Sequence, residues 1–528
     1  MKLRKMKHIS IKIAFLAVAL LAGCDSNFEE LNKNPNAYTE PVINSLFSSV
    51  ALRAAGVSAP QHNNKEAGCF MQYYTSLNAV QWAGDKYLFS DNYNGRLWRV
   101  TYPETMKETV QLLHLLQDDP EMVNQYNIVR IMKVYIMHRV TDMYGDVPYF
   151  EAGLGYISGV YKPKYDRQSE IYADMLKELD EAAVALDPSK PSYGPADFVY
   201  DGDVVKWKRF AYSMMLRLGM RLTKVDAAMA ETWVKKAIAG GVMQSNDDLA
   251  RMIHEASPRS LVNWSADQIR GAEGVNPAAE GRGLLKMNKT FIDHLKETDD
   301  PRMPFLVTLW EGNVNVANLP ESTEPERQKG LPGGYDNNSI RTIIPNWDSD
   351  MLREYSEPNI HTFLDLTSPD IFQSCAEVKL LLAEAALRGW TTGSSREYYE
   401  DAVRCSLGEQ ELFPNGMGRD AALVAANGYL AANPYLENGT FDEQMEQIHT
   451  QFWVTVFPNN LEVYANWRRT DYPKLIPTNY PGNETGGVIP RRLVYLVEEK
   501  TLNTENYEAA IAAQGPDLML TSVWWDKE

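Results

Sequence analysis

Residues 125–149 read QYNIVRIMKVYIMHRVTDMYGDVPY, and the spacing of apolar side chains in this stretch sets the fold class. Val129, Met132, Ile136, Val140 and Met143 recur at intervals of three and four, which puts them on one face of an α-helix. Tyr144-Gly145 ends that helix. A second helix follows Asp166, read as its N-cap, with Ile171, Met175, Leu179, Ala182 and Leu186 in register until Asp187-Pro188 stops it. The two together predict a helical hairpin.

The pattern repeats along the chain. Trp207, Phe210, Met214 and Leu218 mark a third helix, and a weaker fourth covers roughly 227–239 before Gly240-Gly241. Much later, Val378, Leu381, Leu382 and Ala385 lead to Gly389, and Tyr398, Ala402 and Cys405 mark a return helix compatible with a degenerate tetratricopeptide unit. A last pair runs through Met445, Ile448 and Phe452 and restarts after Pro458 with Leu461 and Tyr464. The expectation is a mainly α protein, with tetratricopeptide-like hairpins over about 125–240 and 371–470. Between them, about 251–370, the helical period fades while Gly, Pro and Asn thicken, as in Leu331-Pro332-Gly333-Gly334-Tyr335-Asp336-Asn337-Asn338. This is a loop-rich module set into a helical scaffold, and the first place to look for a ligand site, because binding residues gather on loops held by rigid elements.

The amino terminus carries an address. Lys2, Arg4, Lys5, Lys7 and Lys12 precede an apolar run from Ile13 to Ala22, about half of the ~20 residues a membrane-spanning helix needs, so residues 1–23 read as a signal peptide. Leu21-Ala22-Gly23-Cys24 looks like a bacterial lipobox, which makes Cys24 the expected site of lipidation and 24–40 a tethering segment ahead of one body to residue 528. Removing residues 1–23 takes away five basic and no acidic side chains, moving the formal charge from −18 to −23. So acidic a body argues against nucleic acid as a partner. Beyond Cys24 there are three cysteines, Cys69, Cys375 and Cys405, too few for a disulfide framework. A bond between Cys375 and Cys405 is the one pairing a hairpin would allow.

Catalytic motifs are missing. The eight histidines form no HExxH pair and no Cys-x-x-Cys occurs, so no zinc site has sequence support. There is no GxSxG elbow and no GxxxxGK[ST] loop, while Gly153-Leu154-Gly155 follows a helix and lacks the last glycine of a dinucleotide fingerprint. Asp91-Asn92-Tyr93-Asn94-Gly95 has Tyr at its third position and no Glu at its twelfth, so it reads as a turn and not a calcium loop. A glycosidase needs only two carboxylates, which 70 acidic residues leave open. The expectation is a protein without cofactor, metal or catalytic residues.

Aromatic residues carry the remaining signal. Trp82, Tyr87, Phe89, Tyr93 and Trp98 crowd a stretch of low helical regularity, and Trp264, Trp310, Tyr335 and Trp347 punctuate the loop-rich module. Flat rings suit sugars, whose C–H faces stack on them while nearby Asn, Asp and Arg bind hydroxyls. Trp82, Tyr87, Trp264, Trp310, Tyr335 and Trp347 are therefore the ligand-binding candidates, with core packing as the competing role for each. Trp207, Trp233, Trp390 and Trp453, on helical faces, are assigned to packing.

Several stretches carry a resemblance beyond pattern: Phe28-Glu29-Glu30-Leu31-Asn32-Lys33-Asn34-Pro35-Asn36, Asp142 to Tyr149, Asp300-Pro301-Arg302, Ala376 to Ala385, Trp467-Arg468-Arg469-Thr470-Asp471-Tyr472-Pro473, Ile489-Pro490-Arg491-Arg492 and Val523-Trp524-Trp525-Asp526. In this order the chain resembles the SusD/RagB family of surface lipoproteins of Bacteroidota, in its SusD-like branch. The resemblance implies four tetratricopeptide-like helix pairs supporting an irregular region. It also implies an outer-membrane lipoprotein that captures oligosaccharides, or in some members peptides, and delivers them to a SusC-type TonB-dependent transporter. None of the matching stretches is a ligand motif; Trp467-Arg468-Arg469 is expected to pack and pair within the scaffold. The other readings are a surface glycoside hydrolase and a helical-repeat scaffold that binds only protein.

Overall fold

The computed structural model describes residues 42–56, 63–80, 83–258, 261–270, 283–310 and 321–527. Cys24, the signal peptide, the tethering segment and Trp82 lie outside the described residues. The chain divides into two units, Met1–Leu46 and Phe47–Glu528, and the architecture below is that of the second.

Helices dominate. The first hairpin pairs α1 (Val123–Tyr144) with α2 (Gln168–Ala185), and the second pairs α3 (Val204–Arg221) with α4 (Ala227–Gly240). The third pairs α5 (Cys375–Leu387) with α6 (Ser395–Gly408), against which α7 (Arg419–Ala432) packs. The fourth pairs α8 (Phe441–Thr455) with α9 (Asn460–Thr470). Most expected helical faces are buried, including Val129, Met132, Met175, Leu179, Trp207, Phe210 and Ile448; on α6 the face is turned, with Tyr399, Ala402, Val403 and Leu407 buried while Tyr398 and Cys405 are half-buried. α1 exceeds its expectation: Ile128, Ile131, Val134 and Met137 are buried too. It packs against α2, α9 and the helix Lys107–Leu116, so it has no solvent face for much of its length. Of the tryptophans assigned to packing, Trp207 and Trp453 are enclosed, while Trp233 and Trp390 are half-buried with Lys236 and Arg388 over their rings at 5.2 and 5.4 Å.

Side-chain caps start the helices where sequence rules place them. The Asp203 carboxylate accepts the Val205 and Lys206 amides at 2.9 and 3.1 Å, Ser374 caps α5 through the Glu377 amide at 3.1 Å, and Thr440 with Glu443 forms a reciprocal capping box on α8. Asp166 is different. It does not cap α2; its Oδ2 accepts the amides of Tyr149 and Phe150 at 3.0 and 2.9 Å and so fixes the connector. The Gln168 amide is taken instead by Oδ1 of Asp146, at 2.8 Å, from the turn that ends α1. One carboxylate thus closes the first helix onto the second. Asp91–Asn94 forms a helical turn in which Arg99 holds the Asp91 carboxylate, in line with a turn and not a cation loop.

The hairpins meet on buried charge. Arg217 on α3 pairs with Glu377 on α5 at 2.7 Å, and Arg221 pairs with Glu462 on α9 at 2.7 Å and Asp142 on α1 at 3.4 Å. Asp142 also accepts the Trp525 indole N–H at 2.9 Å, and Arg468 donates to the Asp142 carbonyl at 2.7 Å while lying 4.7 Å from the Trp525 ring centroid. Arg469 on α9 grips Glu384 on α5 at 2.6 Å. All of these charged side chains are 5% exposed or less, so the pairs are what makes their burial tolerable.

The loop-rich module carries three small antiparallel sheets. Tyr74–Thr75 pairs with Lys286–Met287, Ala250–Met252 with Asp370–Gln373, and Val307–Trp310 lies between Glu321–Ser322 and Glu357–Pro358. It also holds an amphipathic helix, Lys289–Glu297, which buries Phe291, Ile292 and Leu295. Cys375 and Cys405, on α5 and α6, are free thiols with their sulfurs 3.0 Å apart, and Cys69 is a buried free thiol.

One buried acid makes stability depend on pH. Glu66 is 4% exposed, and burial pushes its carboxyl up to about 8 against the pull of Lys65. A raised folded-state value means that the neutral acid is preferred on folding. Its contribution is therefore full below about 4.5, declines as the unfolded chain ionises, and is gone above about 8, at up to ~1.4 kcal/mol per pH unit. We expect Glu66→Gln to flatten the loss of stability between pH 5 and about 8, followed by urea denaturation across that range. An unchanged slope would show that Glu66 is ionised in the folded protein.

Candidate functional site

Gly334 positions a surface that carries one of the aromatic candidates, Tyr335. Its φ is +82°, and a Cβ there would lie 2.5 Å from Cβ of Thr478, so only glycine lets the 331–338 loop lie against the 478–480 strand of chain. The Gly334 amide donates to Oδ2 of Asp85 at 2.8 Å, which also receives the Thr75 hydroxyl at 2.7 Å, while Oδ1 of Asp85 pairs with Lys86 at 2.8 Å. Asp85 and Lys86 are 2% and 0% exposed. The Thr478 hydroxyl donates to the Asp85 carbonyl, and its amide donates to the Tyr87 hydroxyl at 3.2 Å. Loops distant in sequence are thus tied to one buried ion pair.

Above this base, Asp336 organises the surface. Its Oδ1 accepts the amides of Asn338 and Ser339 at 2.9 and 2.7 Å and the Ser339 hydroxyl at 2.8 Å. Its Oδ2 accepts the Tyr480 hydroxyl at 2.8 Å. The Ser339 amide, with Tyr480 and the other donors, pulls the Asp336 carboxyl down to about 2. It is a fixed carboxylate and a poor general acid, whereas glycoside hydrolysis needs one carboxyl that is protonated at working pH. Tyr335, Asp336 and Tyr480 are half-buried, and Asn337, Asn338 and Asn479 are exposed. Two aromatic rings, a carboxylate and three amides, on two loops braced against each other, are groups of the kind that stack on a sugar face and bind its hydroxyls.

The sequence candidates distribute as follows. Tyr335 packs partly against an apolar cluster of Leu77, Leu331, Ile340, Trp347 and Tyr355, so Tyr335 and Trp347 are brought together. Trp347 is 5% exposed and Tyr87 1%, which gives both a bracing position beneath the surface. Trp310 is half-buried on its sheet, with its indole N–H on Oε2 of Glu357 at 2.9 Å. Trp264 is half-buried at the start of the helix Trp264–Ile269, which Asn263 caps. Tyr93 and Trp98 are buried, and Phe89 is 39% exposed. Tyr480 and Asp85 were not singled out by sequence. The run Asn479-Tyr480-Pro481-Gly482-Asn483 has the same mixture of ring, amide and turn residues as Gly334-Tyr335-Asp336-Asn337, and that shared composition was the available signal.

Among the described residues one group has the spacing of a metal site: ligand atoms of His138, Asp142 and Glu462 lie within 4.8 Å of one another. Arg221 holds both carboxylates, Arg217 approaches Glu462 at 3.6 Å, and burial together with these arginines holds His138 well below its usual range. A divalent cation there would face two guanidinium groups, so this is a structural ion network.

A family model, SusD-like, described as starch-binding and associating with the outer membrane, matches residues 35–496. The chain belongs to the SusD-like family. Its structure is similar to that of a chitin-binding protein, at 31% identity and a TM-score of 0.77, over 92% of this chain and 100% of that one. A SusD-like protein of Bacteroidetes matches at 26% identity and a TM-score of 0.79, with coverage of 92% and 100%. A chitin-binding SusD homologue of Flavobacterium johnsoniae, at 24% identity, TM-score 0.74 and coverage of 92% and 99%, shares the fold. No curated protein matches the chain. The stretch Phe28 to Asn36 lies outside the described residues; of the others, Asp142, Glu377, Glu384, Arg468, Arg469 and Trp525 are members of the buried charge network, and Asp146 is the carboxylate that closes the first hairpin.

Proposed function

We propose that this SusD-like protein is a non-catalytic, glycan-binding lipoprotein of the outer membrane, anchored by a lipid on Cys24 and facing the cell exterior. It captures oligosaccharides on the Tyr335–Asp336–Tyr480 surface and passes them to a SusC-type TonB-dependent transporter. Family membership supports the class, and the chitin-binding relative supports a polysaccharide-derived ligand. The observation that supports the site is half-buried Tyr480 donating to the Asp336 carboxylate, which neighbours half-buried Tyr335 in the chain and is held down to about 2. The lipobox Leu21-Ala22-Gly23-Cys24 supports attachment through Cys24; no helix among the described residues is long and apolar enough to cross a membrane.

Titration calorimetry with chito-oligosaccharides and malto-oligosaccharides tests this reading. Tyr335→Ala and Tyr480→Ala should each weaken binding roughly tenfold, about 1.4 kcal/mol, with little change in Tm. Tyr480→Phe keeps the ring and should keep most of the affinity. Equal affinity in both alanine variants would move the site elsewhere. Steady release of reducing ends by the wild type would replace the binding reading with hydrolysis, and capture of peptides alone would change the ligand class.

A further inference from the structure

A second feature shares no lining residue with the Tyr335 surface. Between α1, the third hairpin and the module lies a cavity of about 110 Å³ that opens to solvent. By the same measure one water needs roughly 10–15 Å³, so the space holds several such groups, the scale of one small ring. Part of the wall is aromatic: Phe305 lies 6.2 Å from Phe363 and 5.3 Å from Phe413, ring centre to ring centre.

The polar part of the wall is unsatisfied. Gln373, Glu409 and Gln410 are 0%, 6% and 3% exposed and line the cavity, and Gln373 Oε1, Glu409 Oε1 and Gln410 Nε2 have no hydrogen-bond partner among the described residues. Nε of Arg139, also on the wall, is a fourth such atom. Buried polar groups are nearly always paired, with protein or with water, at a cost of about 1–3 kcal/mol for each left alone, so four on the wall of one space favour a polar occupant there. Neighbouring wall groups are already engaged: Glu377 with Arg217, Arg302 with Asp300, and Asp370 with His254. The gap is therefore specific to these four.

Their chemistry selects the partner. Gln410 Nε2 and Arg139 Nε donate, and Gln373 Oε1 accepts. Burial pushes the Glu409 carboxyl well above the usual range, against the pull of Ser374 and the Ala376 amide, so it is a neutral group able to donate or accept. Hydroxyl groups, each donor and acceptor at once, match a mixed set of this kind, and the phenylalanines match the C–H face of a ring. We propose that this cavity is a second binding site, for a single neutral sugar ring, held by Arg139, Gln373, Glu409 and Gln410 against Phe305, Phe363 and Phe413.

The test uses the full chain with glucose and N-acetylglucosamine as probes. Wild type should bind one of them saturably, by calorimetry and by a rise in Tm. Gln410→Leu should weaken that binding at least tenfold. Ala266→Phe, which adds a ring at a buried wall position, should abolish it. Tyr335→Ala and Tyr480→Ala should leave monosaccharide binding unchanged while weakening oligosaccharide binding, which separates this site from the surface one. If Ala266→Phe fails to fold by circular dichroism, Gln410→Leu decides alone. Absence of saturable binding by both sugars, full affinity in Gln410→Leu, or loss of monosaccharide binding in the tyrosine variants would each overturn the proposal and leave the cavity to ordered water.

Discussion

Glu384→Ala is expected to lower the stability of the protein by ~3–5 kcal/mol, the usual cost of removing one partner from a buried ion pair. Glu384 is 0% exposed, and its carboxylate receives Arg469 at 2.6 Å and Arg388 at 2.8 Å. Burial alone would raise its pKa, but Arg469, with His449 and Arg388, outweighs burial and holds the carboxyl well below the usual range. A depressed value means a contribution that is full at neutral pH and lost as pH falls through the folded-state value. The deletion leaves the Arg469 guanidinium buried without its anion. Urea denaturation at pH 7 should show the midpoint falling at nearly unchanged slope. A loss below 1 kcal/mol would show that water reaches Arg469 in the folded protein.

Cys24→Ala is expected to move the protein from the membrane fraction to the soluble fraction nearly completely. On the proposed anchoring, several acyl chains at one amino terminus would make attachment long-lived, and the substitution removes the thiol that would begin their assembly. Fractionation with a radiolabelled fatty acid reads both attachment and its chemistry. Affinity for oligosaccharide should persist in the released protein, because the Tyr335 surface is built from residues far along the chain. A variant that stays on the membrane would place the anchor elsewhere.

The helical scaffold was legible because periodic burial of apolar residues is a local signal. Val129 to Met143, Trp207 to Leu218 and Val378 to Ala385 each report a face without knowing its partner. The module was harder for the same reason. Its order comes from pairings such as Lys286 with Glu357 and Gly334 with Asp85, between residues dozens to hundreds of positions apart, and no window of sequence contains both ends. The Asp166 reading shows the limit at single-residue scale. Composition made it a fitting cap, but Asp146, twenty-two residues before Gln168, was already aimed at that amide by the turn after α1. Aromatic composition was informative in aggregate and weak per residue. Tyr335 reaches the surface and Trp347 supports it from below, a distinction that depends on which side of one loop faces the core.

The buried charge network bears on how the scaffold comes apart. Stacked helical repeats ordinarily contact only their neighbours and can fray one repeat at a time from either end. Here Asp142, Arg217, Arg221, Glu377 and Glu462 tie the first, second, third and last hairpins through shared ion pairs. No hairpin can leave without stranding charge in the others. The scaffold should therefore melt as one cooperative transition, with calorimetric and van't Hoff enthalpies in agreement.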